Sequence, residues 1–468
     1  MTKNKQVSIL YPIRIATIAA LGGFLFGFDI SVMNATVIAI QNKLALGALE
    51  TGLSVSFALI GAALGAFFGG QFAGRFGQKT CMFWAAVLFF VSAIGLGAHF
   101  GRYDFVVWRV LGGIGIGAAN IIIPRYIAET APSNWRGRLG TFQQLAIVAG
   151  ILTAALSNYF IVEYCGGAQR TLWLKFEAWR WMFWMECVPA FLYGVLLLTT
   201  PESPRFLVAK NKIAEAEKVL KNLIAADKIK TKIQDIQKTI LTGRAPRILD
   251  LFCKNEKEKM RLYPIVVAGL AISALYQFMG INVIFYYGNV LWQSVGFKEE
   301  QSIILSVFSS VINFLTTFIA VFAIDKAGRK PLLLIGSAGM FVFLVLMSFI
   351  FGMAQIDAKG YPVLHGVSAY AAVISAHIYI MFFSMSWGPV MWVMLGEMFN
   401  NRIRGAALAV AGLVQWLANF IVITTFPPLV KLVGLGYSYG IYAFFAIFGF
   451  FFVLNKIQET KGKELEDM

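Results

Sequence analysis

YIAETAPSNWRG, residues 126 to 137, is echoed by VMLGEMFNNRIRG, residues 393 to 405, and the echo governs the architecture. Glu129 stands seven residues before Arg136 in the first copy, and Glu397 seven before Arg404 in the second, each arginine followed by glycine. A second echo pairs GRFGQK (74–79) with DKAGRK (325–330), aligning Gly77 with Gly328 and Lys79 with Lys330. One coincidence would mean little; two at corresponding places imply a duplicated unit.

Outward from these four segments the chain is apolar. It has 468 residues, 58% apolar and 15% aromatic with only 14% charged, and a mean hydropathy of +0.71. Soluble domains carry about 25% charged residues, so the composition is that of a polytopic membrane protein. Twelve runs are long enough to cross a hydrocarbon core of about 30 Å: 12–38, 51–74, 80–99, 104–130, 138–162, 178–199, 264–292, 301–325, 331–352, 367–398, 404–430 and 434–454. The first follows basic residues but has no small-residue cleavage site after it, so it reads as a membrane span and not a signal peptide. The echoes fall in corresponding short connections, which divides the spans six and six.

The expectation is an all-α membrane protein of two pseudo-symmetric six-helix bundles, residues 1–199 and 263–455, with a helical linker over 200–262 and a tail over 456–468. In the linker, Ile213, Ala216, Val219, Leu220, Leu223 and Ile224 recur at helical spacing with lysines opposite, which predicts amphipathic helices. The formal net charge of +16 might suggest nucleic acid, but the basic residues form no face interleaved with exposed aromatics. They gather instead in GRFGQK, APSNWRGR, DKAGRK, NNRIRG and the tail, which the positive-inside rule assigns to the cytoplasm together with both termini. The four cysteines show neither metal spacing nor a pairing pattern, and His99, His365 and His377 have no ligand spacing. No metal or cofactor is expected. With no nucleophile, base and orienting group in evidence, an enzyme is disfavoured.

Inside the first run, LGGFLFGFDISVMNATV (21–37) carries Asp29. A carboxylate deep in a membrane costs roughly 2.5 to 3.5 kcal/mol and normally faces a protein interior or a wet cavity, where it marks function. Duplicated halves related about the membrane normal place a binding site between them near the midplane, reached by rocking.

PESPRFL (201–207), RGRLGTFQQLAIVAGI (136–151), QFMGINVIFYYG (277–288), DKAGRKPL (325–332), SWGPVMWVMLGEMF (386–399) and ETKGKELED (459–467) resemble the signatures of the sugar porter family of the major facilitator superfamily. The likeness spans essentially the whole chain and is nearest to bacterial proton symporters for D-xylose and glucose. It implies a major facilitator fold and a multi-pass, monomeric protein of the cell membrane that imports a monosaccharide with a proton. A uniporter of the same fold and a transporter-like sugar sensor are the alternatives.

Sugar hydroxyls both donate and accept, so a selective pocket needs amides and an aromatic face. The sequence supplies Gln144, Gln277, Asn282, Asn313, Trp392 and Gln415 inside apolar runs, with Phe26, Ile147, Tyr276, Tyr286 and Trp416 in register. The resemblance implies these as sugar contacts, except that Tyr276 stands where the family commonly has glutamine. It also implies that Asp29 takes up the proton with Arg109 as its partner, and that Arg75, Glu129, Arg136, Arg329, Glu397 and Arg404 close the cytoplasmic side through salt bridges between the halves. Gly74 and Gln78 stand where that motif usually has an acid and a base, which predicts a weaker inner latch and a larger inward-open population. Arg125 is also unusual for the motif, and the sequence gives no reason for it.

Overall fold

The computed structural model describes residues 10–99, 101–132, 135–242, 248–254, 260–356, 362–400 and 403–461. The first half comprises α1 (Leu10–Leu44), α2 (Ala48–Phe76), α3 (Gln78–Ala98), α4 (Arg102–Thr130), the short α5 (Arg136–Gly140), α6 (Phe142–Cys165), α7 (Ala178–Met185) and α8 (Cys187–Leu198). The linker holds α9 (Pro204–Ala209), α10 (Ile213–Leu220) and α11 (Ile229–Thr242), then a hairpin of β1 (Phe252–Lys254) and β2 (Met260–Leu262). The second half comprises α12 (Pro264–Phe278), α13 (Ile281–Ser294), α14 (Glu299–Ala327), α15 (Arg329–Gly352), α16 (Val367–Ser384), α17 (Trp387–Met398) and α18 (Arg404–Lys456), with a small pairing of β3 (Gln355–Ile356) and β4 (Pro362–Val363) after α15.

Eleven helical segments among the described residues are long and apolar enough to cross a membrane. The twelfth span lies inside the 53-residue α18, where Gly434 turns the backbone to φ 81, ψ 169 and separates two spans. Only glycine takes that conformation at little cost. The fold is therefore the twelve-span major facilitator architecture. Several helices outrun the expected segments, α1 reaching Leu44 where the apolar run ends at 38, because a helix continues past the hydrocarbon core while its polar end stays capped or paired.

Within a half, helices approach through small residues. On α2, Gly61 and Gly65 lie against the α4 backbone at Val110 and Ile114; on α4, Gly113 and Gly117 lie against Ala58 and Ala62. A Cβ at any of them would overlap a main-chain carbonyl, so side-chain loss is converted into close backbone packing, the usual basis of helix association without a hydrophobic drive. In the linker, α10 buries Ala216, Val219 and Leu220, as their spacing predicts, the turn after it buries Leu223, and the lysines stay out.

The two halves touch at the end of the bundle away from the termini and the linker. Gly52 of α2 lies against the Thr424 backbone of α18, and the Ser56 and Thr424 hydroxyls are 2.6 Å apart. Asn34 of α1 donates to Ser306 Oγ of α14 at 3.1 Å and accepts from the Asn289 N–H of α13 at 2.9 Å. The Ala168 N–H donates to Glu299 at 3.1 Å. These contacts close that end and surround a small cavity lined by Ser31, Asn34, Ser306, Ser309 and Ser310.

Candidate functional site

Close packing of α1 against α2 and α4 buries Asp29 and Arg109 together. Arg109 Nη1 donates to Asp29 Oδ1 at 2.5 Å and Nη2 donates to the Val55 carbonyl at 3.1 Å, with the side chains 1% and 6% exposed. Asp29 Oδ2 and Arg109 Nε have no hydrogen-bond partner, so the pair is short of full satisfaction. A third charged residue in this half has no counterpart among the residues expected from the sequence. Glu186, at the break between α7 and α8, is also buried, and both of those helices pack against α1, which carries Asp29. Its signal was the same as that of Asp29, an acid inside an apolar run.

The amides assemble on the second half, around a broken span. Gly280, at φ 83, separates α12 from α13 and brings residues on either side of the break together. Asn282 Nδ2 donates to Gln277 Oε1 at 2.7 Å and to Asn419 Oδ1 at 3.0 Å. Asn419, one turn beyond Gln415 on α18, was not anticipated. Gln415 Oε1 and the Tyr286 hydroxyl are buried without a partner. Tyr286 stands on α13, which packs against α1 of the first half.

Phe26 meets Trp416 edge-on at 5.7 Å, joining α1 to α18, and Tyr276 meets Phe383 at 5.0 Å. Asn313 Oδ1 accepts from Ser384 at 2.7 Å. Ile147 packs at Gly23 of α1, Gln144 is partly exposed, and Trp392 is 41% exposed on α17. Among the described residues, no hydrogen bond or ring contact joins Gln144, Ile147, Asn313 or Trp392 to the Asn282 group.

At the end that carries the termini, each half builds a matching cluster. In the second half Arg329 Nε and Nη2 grip the Glu397 carboxylate at 3.0 and 2.8 Å, and Thr460 Oγ1 donates to it at 2.6 Å. In the first half Glu129 accepts from Gln78 Nε2 at 2.8 Å, from Arg125 Nε at 3.0 Å and from the Ser203 hydroxyl. A second acid in each half receives main-chain N–H groups. Glu202 accepts from Gln78, Lys79 and Ser203; Glu459 accepts from Arg329, Lys330, Thr460 and Lys461. Burial raises the Glu202 carboxyl above its ordinary value despite its N–H donors. At Glu459 burial also pushes upward, but its four N–H donors outweigh it and hold the group below.

Among the described residues, none of the expected salt bridges between halves is seen in this arrangement. Glu129 and Glu397 each pair within their own half, Arg75 stacks on Phe76 at 5.2 Å, and Arg404 donates to the Phe399 carbonyl at 2.9 and 3.1 Å. The Arg136 side chain lies outside the described residues. The physical reason is that the halves meet at the opposite end, which leaves these acids and bases to their local partners. Among the described residues, no group of three or more His, Cys, Asp or Glu side chains is placed to hold a metal ion.

Residues 15–468 match the family described as "Sugar (and other) transporter". The chain belongs to this sugar transporter family. Among related sugar transporters, the glucose transport protein of Synechocystis sp. is 51% identical over 466 residues, covering 99% of this chain and 98% of its own. The D-xylose-proton symporter of Escherichia coli K12 is 37% identical, covering 99% and 96%. Among solved structures, a partially occluded inward-open conformation of the E. coli xylose transporter matches with a TM-score of 0.82 at 33% identity, over 97% of this chain and 100% of that one. The proton:xylose symporter bound to 6-bromo-6-deoxy-D-glucose matches with a TM-score of 0.78 at 33% identity, over 98% of both chains.

Proposed function

We propose that this sugar transporter carries a monosaccharide together with a proton into the cell by alternating access. The observation that carries the reading is the buried pair of Asp29 and Arg109 on one half, with an amide-lined site on the other. Breaking the Asp29–Arg109 pair leaves a buried charge unpaired, which is costly unless the carboxylate takes a proton. The pair is therefore assigned as the place where the proton is exchanged. The relatives named as symporters of sugar and proton support the same assignment.

The division of labour follows from the chemistry. Gln277, Asn282, Gln415 and Asn419 offer donors and acceptors to sugar hydroxyls, Tyr286 and Trp416 supply the aromatic surface, and Gln144, Ile147, Asn313, Trp392 and Tyr276 complete the pocket as the halves move. With a proton bound the Asp29–Arg109 pair is free to rearrange; without one it holds. Phe26 against Trp416 is the route by which the two centres sense each other. One charge moved through 100 mV is worth about 2.3 kcal/mol, so one proton supports roughly fiftyfold accumulation.

We further assign the termini and the linker to the cytoplasm, from the lysines and arginines of the connections at that end. On that assignment the structure is closed outward, and Arg75, Glu129, Arg136, Arg329, Glu397 and Arg404 act as the inner gate, pairing across the halves only when the outer contacts open. The division into residues 1–199, 200–262 and 263–455 is the mechanical one, two bundles rocking about a tether. A single chain holds both halves of the site, which supports a monomeric unit. The test is uptake of a panel of labelled monosaccharides into proteoliposomes with and without an inward proton gradient. Accumulation abolished by a protonophore is the expected result, and equilibration without accumulation under the gradient overturns the proton coupling.

A further inference from the structure

The first and second halves repeat the same inner cluster with one cation in a different place. Gly77 and Gly328 both take left-handed backbone, at φ 105 and 89, and donate their N–H to Ala73 and Ile324 one turn back. The residue after each glycine reaches the equivalent acid, Gln78 to Glu129 and Arg329 to Glu397. Ser203 matches Thr460, Glu202 matches Glu459, and Lys79 matches Lys330, the two lysines donating to carbonyls at the end of the last span of each half, Leu198 and Leu454. Among the described side chains that meet the acid, the difference lies in where its positive charge comes from. In the second half it comes from Arg329 across the turn, and Val393 stands four residues before Glu397; in the first half the turn offers a neutral amide, and Arg125 stands four residues before Glu129.

We propose that Arg125 is the relocated cation of the first-half cluster, a positioning residue that compensates Glu129 from within α4 in place of the arginine that position 78 lacks. This deepens the transport reading, since that cluster is assigned there to the inner gate. The neutral replacement has left a mark. Gln78 is 2% exposed, and its Oε1 is buried without a partner, whereas the equivalent Arg329 Nη1 donates to the Ile324 carbonyl at 3.1 Å. An arginine at 78 has the matching Ala73 carbonyl to donate to and carries no acceptor to strand. In consequence the first-half turn is tied to α4 by one amide hydrogen bond, and the second-half turn is tied to α17 by a bidentate ion pair, the stronger contact.

The relocation is tested by moving the cation back. Arg125→Val, Gln78→Arg with Arg125→Val, and Arg125→Lys are purified beside the wild type, and both the thermal unfolding midpoint and the initial rate of sugar exchange in proteoliposomes are measured. Arg125→Val is expected to unfold at lower temperature and to exchange roughly tenfold more slowly, Arg125→Lys to lie between it and wild type, and the double variant to return to the wild-type midpoint and to within about twofold of the wild-type rate. A double variant no better than Arg125→Val overturns the proposal, as does an Arg125→Val indistinguishable from wild type. If Arg125→Val yields no folded protein, recovery of folded protein by the double variant is the readout, and its failure overturns the proposal equally. The unfolding comparison needs no sugar, so a wild type that fails to transport sinks the transport reading while this assignment is still decided.

Discussion

The two buried polar centres of this transporter are built on opposite principles. The first half holds a charged centre, Asp29 with Arg109, on helices packed through glycine; the second holds a neutral one, Gln277, Asn282, Asn419 and Gln415, around a broken helix. A charge gives a strong response to a single proton but little discrimination among neutral ligands. Amides reverse that balance. On the proposed assignment, proton and sugar influence each other through the contacts between the two halves, where Phe26 meets Trp416.

The contrast breaks most severely if the charged centre loses its cation. Arg109→Ala leaves the buried Asp29 carboxylate without its counterion, a change expected to cost about 3 to 5 kcal/mol, and thermal unfolding of the purified protein measures it. The neutral centre should respond through affinity. Asn282→Ala strands the Gln277 and Asn419 oxygens and is expected to raise the KM for sugar roughly tenfold with the proton dependence of uptake unchanged. A comparable change in proton dependence would mean that the centres are not separate.

Smaller again is the effect at the outer seam. Asn34→Ala removes two neutral hydrogen bonds between the halves, each worth about 0.5 to 1.5 kcal/mol, and is expected to shift the population toward outward opening by several-fold. Distances between spin labels at the start of α2 and near Gly434 of α18 report it. The smallest effect concerns Glu202 and Glu459. A raised carboxyl binds its proton more readily in the folded protein, so acidification through its range stabilises wild type relative to Glu202→Gln. Glu459, held low, contributes stability above the ordinary carboxylate range that is lost as pH falls through its depressed value, so Glu459→Gln should lose stability at neutral pH and converge with wild type in acid. Unfolding midpoints across pH separate the two.

How far these features were legible depended on whether the signal was local. Hydropathy runs and the repeated Glu-to-Arg spacing are properties of adjacent residues, and they carried the twelve spans and the duplication. The buried acid Asp29 stood out against its own run, and its pairing with Arg109 followed the family likeness. Glu186 carries the same local signal in WMECVP, but nothing in the sequence says that a helix break there buries it in the same half as the pair. Asn419 needed α18 to be continuous past Gln415 and packed on Asn282. Arg125 looked anomalous in isolation and makes sense only beside the neutral Gln78 in space. The inner salt bridges were expected between halves, yet their formation depends on which end of the bundle is closed, and that is a property of a conformational state that no spacing records.

The central claim is that a proton on the charged centre drives sugar bound at the neutral one. Asp29→Asn, reconstituted into proteoliposomes, tests it by comparing sugar exchange at equilibrium with accumulation under an inward proton gradient. Exchange that persists while accumulation falls to equilibration is the result this account predicts. Accumulation that survives the substitution would contradict it and leave Asp29 as a structural charge.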